Sequence, residues 1–311
     1  MNAPLISICI PAYKRTVELK RLFHSIVIQT FKDFEIVITD DSPDDSVAIL
    51  CNEYKSKLPI AYYKNKIRLG SPANFNQSIA NATGEWIKMM NDDDWFATPS
   101  ALQAFADATK NGNKFIVSGY NNIDDNGKVL PKPALSPFIR NMLKRNPVVL
   151  LSTNYIGQPS VCLVHRLVKA KYDERMKWRV DIDYYMQLLQ EEKVFHFIPD
   201  VLINLGISST QVTHSCLNVP GVELPEGKLL LDKYGIKPLK NILVYDAWWR
   251  IIRNTHTRSK DTLYQYAAEW PKVIEEMVEV QQKIKPSLLN KGVVSKLFMT
   301  FSYLKARKYL H

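Results

Sequence analysis

No apolar run in this chain reaches the roughly 18 to 20 residues that span a bilayer, so a helical membrane anchor is not expected. Cysteine is scarce, and Cys9, Cys51, Cys162 and Cys216 lie far apart without forming metal-type pairs. They read as reduced thiols of a cytosolic protein, which argues against a disulfide framework or a zinc site. Neither a P-loop nor a G-x-G-x-x-G pattern occurs, so Walker ATPases and classical dinucleotide folds are not indicated. No internal repeat is present, and MNAPLISICIPAYKR lacks the basic start and long apolar core of a signal peptide. Acid is the minority charge: 31 Asp and Glu against 41 Lys and Arg leave a formal net charge of +10. That excess favours anionic partners.

What is present is an ordinary globular composition, 46% hydrophobic and 23% charged over 311 residues, enough for one or two domains. Leu5 to Ile10, Glu35 to Thr39, Ile60 to Tyr63 and Glu85 to Met90 are short apolar or β-branched runs that read as strands. Helical spacing runs through Thr16 to Gln29, SVAILCNEY and Asn74 to Ala82, and Ser42-Pro43-Asp44-Asp45 resembles a cap with proline in the first turn. Strands alternating with helices predict an α/β fold with a mainly parallel central sheet flanked by helices. Lys114 to Gly119 is a further strand, Asn121 to Lys128 a polar turn and Leu130 to Pro137 a proline-rich loop. Val180 to Glu192 reads as an amphipathic helix. Beyond a proline-containing linker at Val219 to Pro225, long helical stretches follow at Asn241 to Ile252, Ser259 to Lys285 and Lys291 to Tyr309. The expected division is a domain over 1–218 and a helical C-terminal extension over 219–311.

In parallel sheets ligands sit beyond the carboxyl ends of the strands. That rule marks Pro11-Ala12-Tyr13, Asp40-Asp41 and Asn91 to Asp94. Three adjacent aspartates repel one another, and Thr98-Pro99 already supplies a start for the next helix. A solvated turn is one reading; a hard divalent cation shared with phosphate oxygens is the other.

The ordered stretches ISICIPAYKR, EIVITDDSPDD, NKIRLGSPANFNQSIANATGEWIKMMNDDDW, GQPSVCLVHR and VDIDYYMQLL resemble the family 2 glycosyltransferases, inverting enzymes with a nucleotide-sugar-binding GT-A fold. The resemblance covers about the first two-thirds of the chain. It implies nucleotide contacts from Pro11, Ala12, Tyr13, Arg15, Asp40, Asp41, Arg68, Gly70, Asn74 and Asp92. It also implies Mn²⁺ or Mg²⁺ on the acidic motif, with Asp93 preferred, Asp94 beside it and His214 from downstream. Asn91 stands where the motif usually has its first acid, and Val180 where a glutamate usually precedes the base. Asp181 matches that general base, with Asp183 the rival. Gln158, Pro159 and Ser160 match a loop near the acceptor, and Trp178 could stack on a sugar or pack in the core.

The implied activity is transfer of a hexosyl or N-acetylhexosaminyl group, from a UDP-sugar most often, to a glycan or lipid-linked glycan in surface polysaccharide or lipooligosaccharide synthesis. Two other readings stand beside it: a sugar-nucleotide nucleotidyltransferase, although IPAYKRTVEL has no glycine-rich loop, and a non-catalytic nucleotide-sugar-binding scaffold.

The positive charge is concentrated at one end. From Gln281 to His311 there are seven Lys or Arg and no Asp or Glu. Val294, Leu297, Phe298, Phe301 and Leu304 fall on one helical stripe. Such a helix either packs inward or lies on an acidic membrane surface, giving a cytoplasmic protein peripheral at the inner face of the membrane. Nucleic acid is not an expected partner.

Overall fold

Short runs rich in β-branched and other apolar residues form the buried strands Ile6–Ala12, Phe34–Asp40 and Trp86–Met89. The computed structural model describes residues 3–131, 135–208 and 212–310. Its strands are β1 Ile6–Ala12, β2 Phe34–Asp40, β3 Ile60–Lys64, β4 Trp86–Met89, β5 Trp95–Phe96, β6 Phe115–Asp124, β7 Val129–Pro131, β8 Cys162–His165 and β9 His196–Ile207. They join in one sheet in the order β3-β2-β1-β4-β8-β6-β9-β5, with β7 on β6. The β3-β2-β1-β4 half is parallel, every residue of β1 is buried, and Ala12 lies in register with Asp40. The chain leaves β1 toward β2 and β3 and later returns to β4 on the other side. In sheets of this kind ligands sit at such a reversal, beyond the carboxyl ends of β1 and β4.

The helices of this half are α1 Thr16–Val27, α2 Ser46–Tyr54, α3 Ser71–Asn81 and α4 Ala101–Ala108; α1, α2 and α4 turn an apolar stripe inward, whereas α3 buries Asn74 and Ser78. Further along come α5 Pro137–Arg145, α6 Val180–Glu192, α7 Val212–Cys216, α8 Pro220–Tyr234, α9 Ile242–Asn254, α10 Lys260–Tyr264, α11 Lys272–Gln282, α12 Pro286–Leu289 and α13 Gly292–Ala306. All four cysteines are buried thiols outside any disulfide.

Two compact units result. One comprises Met1–Lys144, Tyr155–Glu174 and Asp183–Ser209; the other comprises Arg145–Asn154, Arg175–Ile182 and Thr210–His311. The second unit therefore takes in two segments upstream of the sequence-based boundary. Its own contacts explain why. The Glu226 carboxylate accepts the backbone N–H groups of Lys177, Trp178 and Arg179, at 2.6 to 3.1 Å, and the Arg179 guanidinium pairs with Glu223 in a buried site. Arg250 donates to the Ser152 carbonyl at 2.7 Å.

Several sequence expectations change. Val219 to Pro225 is not a linker: Pro220 sits in the first turn of α8, where its missing N–H costs nothing, and Pro225 is accommodated inside the helix. The stretch Ser259 to Lys285 is broken into α10 and α11, with Trp270-Pro271 in the gap. Asn121 to Asp124 is strand rather than turn, because β6 pairs onward with β9. The Ser42 to Asp45 segment does not cap α2 as expected. Asp44 instead accepts from Ser46, and Ser42 turns to the β1 loop, accepting the Lys14 N–H at 2.8 Å. Residues 132–134 of the proline-rich loop lie outside the described residues.

Replacing Glu226 with Ala would strand three backbone donors. We expect a loss of about 3 kcal/mol, read as a lower urea midpoint, with Glu226→Gln intermediate.

Candidate active site

The acidic turn after β4 is held by its third aspartate. Asp94 is fully buried, accepts the Ser160 hydroxyl at 2.5 Å and the Asn91 amide at 3.2 Å on one oxygen, and accepts the Gly206 N–H at 3.1 Å on the other. Asn91 in turn donates its N–H to Ser160 Oγ at 2.9 Å and its amide to Gln158 at 3.0 Å. Asn91 thus does at the first position what a carboxylate could not, donating to Asp94 instead of repelling it. Pro159 opens a single 3-10 turn that carries Ser160, so Gln158, Pro159 and Ser160 hold this turn from the β8 side. These three bonds make Asp94 a brace for the turn.

Asp92 and Asp93 are left facing the β1 loop. The Tyr13 N–H lies 3.4 Å from Asp92 Oδ2, and Arg15 Nη1 reaches Asp92 at 3.4 Å and Asp93 at 2.7 Å. One guanidinium serves two carboxylates. Burial, followed by the charge of neighbouring Asp93, pushes the Asp92 carboxyl up to about 7, and burial raises Asp93 and Asp94 as well. Arg21, which sequence reasoning missed, donates to the Asp93 carbonyl at 2.7 Å and lies 3.8 Å from the Trp95 ring. Its only sequence signal was a place on α1 six residues beyond Arg15.

Asp40, Asp41 and Asn74 are engaged elsewhere. Asp40 is fully buried and accepts from Ser42 N–H at 2.7 Å, the Tyr62 hydroxyl at 2.7 Å and Lys64 at 3.1 Å. Asp41 accepts from the Asn65 amide at 2.8 Å, Leu69 N–H at 3.0 Å and Gly70 N–H at 2.9 Å. The Asn74 amide donates to the Thr39 carbonyl at 3.0 Å and its oxygen accepts from Asn65 at 2.9 Å. Asp41 and Asn74 shape the 65–70 loop, while Asp40 ties the end of β2 to β3. Gly70 starts α3 at φ +85°, a backbone conformation open to glycine. That loop brings Arg68 over the Tyr13 ring at 4.3 Å, joining two of the expected nucleotide contacts. Pro11 and Ala12 are buried at the end of β1.

Lys88 was also missed. It is fully buried in β4, its amine donating to the Ser160 carbonyl and lying 4.7 Å from the Phe105 ring, and burial brings its amine down to about 7. A lysine within the apolar run WIKMM was the signal.

Asp181, Trp178 and His214 belong to the second unit. Asp181 occupies the first turn of α6, half-buried, and burial pushes its carboxyl up to about 7. Asp183 is fully buried and accepts from the Gln187 amide at 2.7 Å. Trp178 is half-buried, and its backbone is held by Glu226. His214 lies on α7, with its side chain outside the described residues.

No group of three or more His, Cys, Asp or Glu among the described residues is arranged as a metal shell. The donor set nevertheless fits a divalent cation that takes phosphate oxygens for the rest of its coordination, as Mg²⁺ and Mn²⁺ do. Asp92 and Asp93 are hard oxygen donors, adjacent, poorly solvated and matched by a single positive charge.

A sequence profile described as Glycosyl transferase family 2 matches residues 7–166, just over half of the chain. The chain belongs to that family. It is a glycosyltransferase. An uncharacterized glycosyltransferase of Methanocaldococcus jannaschii is 27% identical over 213 residues, 67% of this chain and 72% of the relative. The GalNAc(5)-diNAcBac-PP-undecaprenol beta-1,3-glucosyltransferase of Campylobacter jejuni is 36% identical over 93 residues, 29% of this chain and 30% of that one. Among solved structures, S. aureus TarS in complex with UDP-GlcNAc aligns at TM-score 0.63 and 15% identity, covering 98% of this chain and 89% of that one. The Pyrobaculum calidifontis mannosyltransferase in complex with GDP-Man and Mn²⁺ aligns at 0.54 and 13% identity, covering 100% and 88%. These structural likenesses establish the GT-A type of fold.

Gly206 permits the turn. A Cβ there would lie 2.5 Å from the Asp93 carbonyl oxygen, whereas Gly221 has open space. We expect Gly206→Ala to lose about 1 to 3 kcal/mol in urea unfolding, and Gly221→Ala to change little.

Proposed function

We propose that the protein is an inverting, metal-dependent glycosyltransferase that moves a sugar from a UDP-sugar to a hydroxyl of a glycan or lipid-linked glycan. The observation that carries this reading is the Asp92–Asp93 pair, under-neutralised by Arg15, at the β1–β4 edge of a family 2 fold. The name of the Campylobacter relative, which describes an undecaprenol-linked glycan, supports the lipid-linked class of acceptor. Work on such an acceptor in surface polysaccharide or lipooligosaccharide synthesis would make the enzyme a peripheral protein at the inner face of the membrane. We retain the division into a catalytic domain and a helical extension, with the extension including the segments that α8 and α9 hold.

The roles follow from charge and position. Pro11, Ala12, Tyr13 and Arg68 line the nucleotide, with Asp41, Gly70 and Asn74 shaping the loop that carries Arg68 and Asp40 tying β2 to β3. Asp93 with Asp92 would hold Mn²⁺ or Mg²⁺, which supplies positive charge against the departing diphosphate. Arg15 keeps the two carboxylates together beside the Tyr13 N–H. Asp94, Ser160, Asn91 and Gln158 fix the turn so that no reorganisation is needed when charge develops.

Asp181 is the base. Inversion requires the acceptor hydroxyl to attack the anomeric carbon from the face opposite the diphosphate. As the new C–O bond forms and the bond to the diphosphate breaks, Asp181 takes the hydroxyl proton. Among the described residues no hydrogen bond to its carboxyl is seen, and burial keeps it poorly solvated. Asp183, engaged with Gln187, is less suited.

The charged form of Asp181 is the active one and its carboxyl sits at about 7, so transfer should rise with pH through about 7 as one proton leaves. Asp181→Asn should cut transfer by about 100-fold or more while UDP binding stays. The same group binds a proton in the fold that the unfolded chain has released. Its contribution to stability is therefore present at low pH and declines as pH rises from about 4 toward 7. Melting temperatures of Asp181→Asn should show a flatter profile over that window. Unchanged transfer in this variant would remove Asp181 from the mechanism.

A further inference from the structure

Helix α13 is packed inside out. Its buried face is Ser295, Met299, Ser302 and Ala306, small or polar except for one methionine. Ser295 Oγ accepts the Trp249 indole N–H at 3.0 Å and Arg253 at 3.1 Å, and Ser302 bonds the Tyr245 hydroxyl at 2.8 Å. The opposite face carries Val293, Leu297, Phe301 and Leu304, which are 78%, 68%, 64% and 58% exposed. Their spacing of four, four and three places them on one stripe. The stripe differs from the sequence expectation: Val293 belongs to it, while Val294 and Phe298 are half-buried at its border.

An amphipathic helix normally buries its large apolar residues, and exposed ones scattered singly need no explanation. A continuous stripe of four marks an interaction surface. Charge selects its occupant. Lys291, Arg307 and Lys308 are exposed, and residues 281–311 hold seven basic and no acidic side chains. The acids that touch the helix lie on other elements: Asp246 of α9 pairs with Lys296 at 2.6 Å, and Glu276 of α11 pairs with Lys305. A second copy docked on the same stripe would oppose basic rims with no acid from this segment between them. No described helix is long and apolar enough to cross a membrane, and the 15 residues of α13 extend only about 22 Å along its axis. A helix of this kind lies in the interface plane, its apolar side chains below the headgroups and its basic ones among them.

We propose that the Val293–Leu297–Phe301–Leu304 face of α13, rimmed by Lys291, Arg307 and Lys308, docks on the surface of an anionic lipid bilayer. The contact is independent of which sugar the enzyme moves, so its test needs no turnover.

The full chain is floated with vesicles of phosphatidylcholine alone and of phosphatidylcholine with phosphatidylglycerol. Expected is binding to the anionic vesicles, weakened by salt. Leu297→Glu combined with Phe301→Glu should lower the bound fraction roughly tenfold or more with no fall in melting temperature, because both side chains are exposed. Arg307→Gln with Lys308→Gln should weaken binding to the anionic vesicles and leave the apolar face intact. The proposal is overturned if the wild-type chain fails to float with anionic vesicles, or if the double glutamate variant binds as well as wild type. It is also overturned if light scattering shows a wild-type dimer that the double glutamate variant dissociates, or if an acidic protein, rather than lipid, protects this face.

Discussion

Two carboxylates share one guanidinium beyond the carboxyl ends of β1 and β4, and the candidate site is organised around that imbalance. Asp92 is buried and Asp93 largely so; Arg15 bridges the two carboxylates, and the Tyr13 N–H lies beside Asp92. Left to itself such a pair would separate or take up a proton. It stays in place because the backbone carrying it is anchored by Asp94, whose oxygens are filled by Ser160, Asn91 and Gly206. The third aspartate secures the geometry, and the first two present unmatched negative charge.

The same division of labour recurs at the end of β2. Asp40 and Asp41 look equivalent in sequence, two acids at a strand terminus. Asp40 is closed off by Tyr62, Lys64 and Ser42, and Asp41 gathers the N–H groups of Leu69 and Gly70. Asp41 acts through the loop that brings Arg68 over Tyr13, and Asp40 through the β2–β3 edge. Among the described residues, Arg15 alone pairs with the carboxylates of the acidic turn, while Arg21 meets the Asp93 carbonyl and Arg68 the Tyr13 ring.

Much of this was legible in the sequence, and the reasons are physical. Strands β1 to β4 and helix α6 were readable because short β-branched runs with hard stops, and a capped amphipathic stretch, are local signals. The placement of acids at strand ends followed from the parallel topology alone. The destination of each carboxylate did not, since Asp94 depends on Ser160 and Gly206, 66 and 112 residues away. Strand β9 went unread because Pro199-Asp200 interrupts its pattern, where the pairing with β6 is irregular. The two-residue β5 has no pattern to read, and α13 was read with an apolar stripe one residue out of place at Val293.

The most direct test of the account is calorimetric titration of UDP into the protein with and without Mn²⁺, repeated on Asp93→Ala. The account predicts uptake that needs the cation and is lost in the variant, since the carboxylate pair has to carry the metal that carries the diphosphate. Equal UDP affinity without Mn²⁺, or an unaltered isotherm in Asp93→Ala, would contradict it.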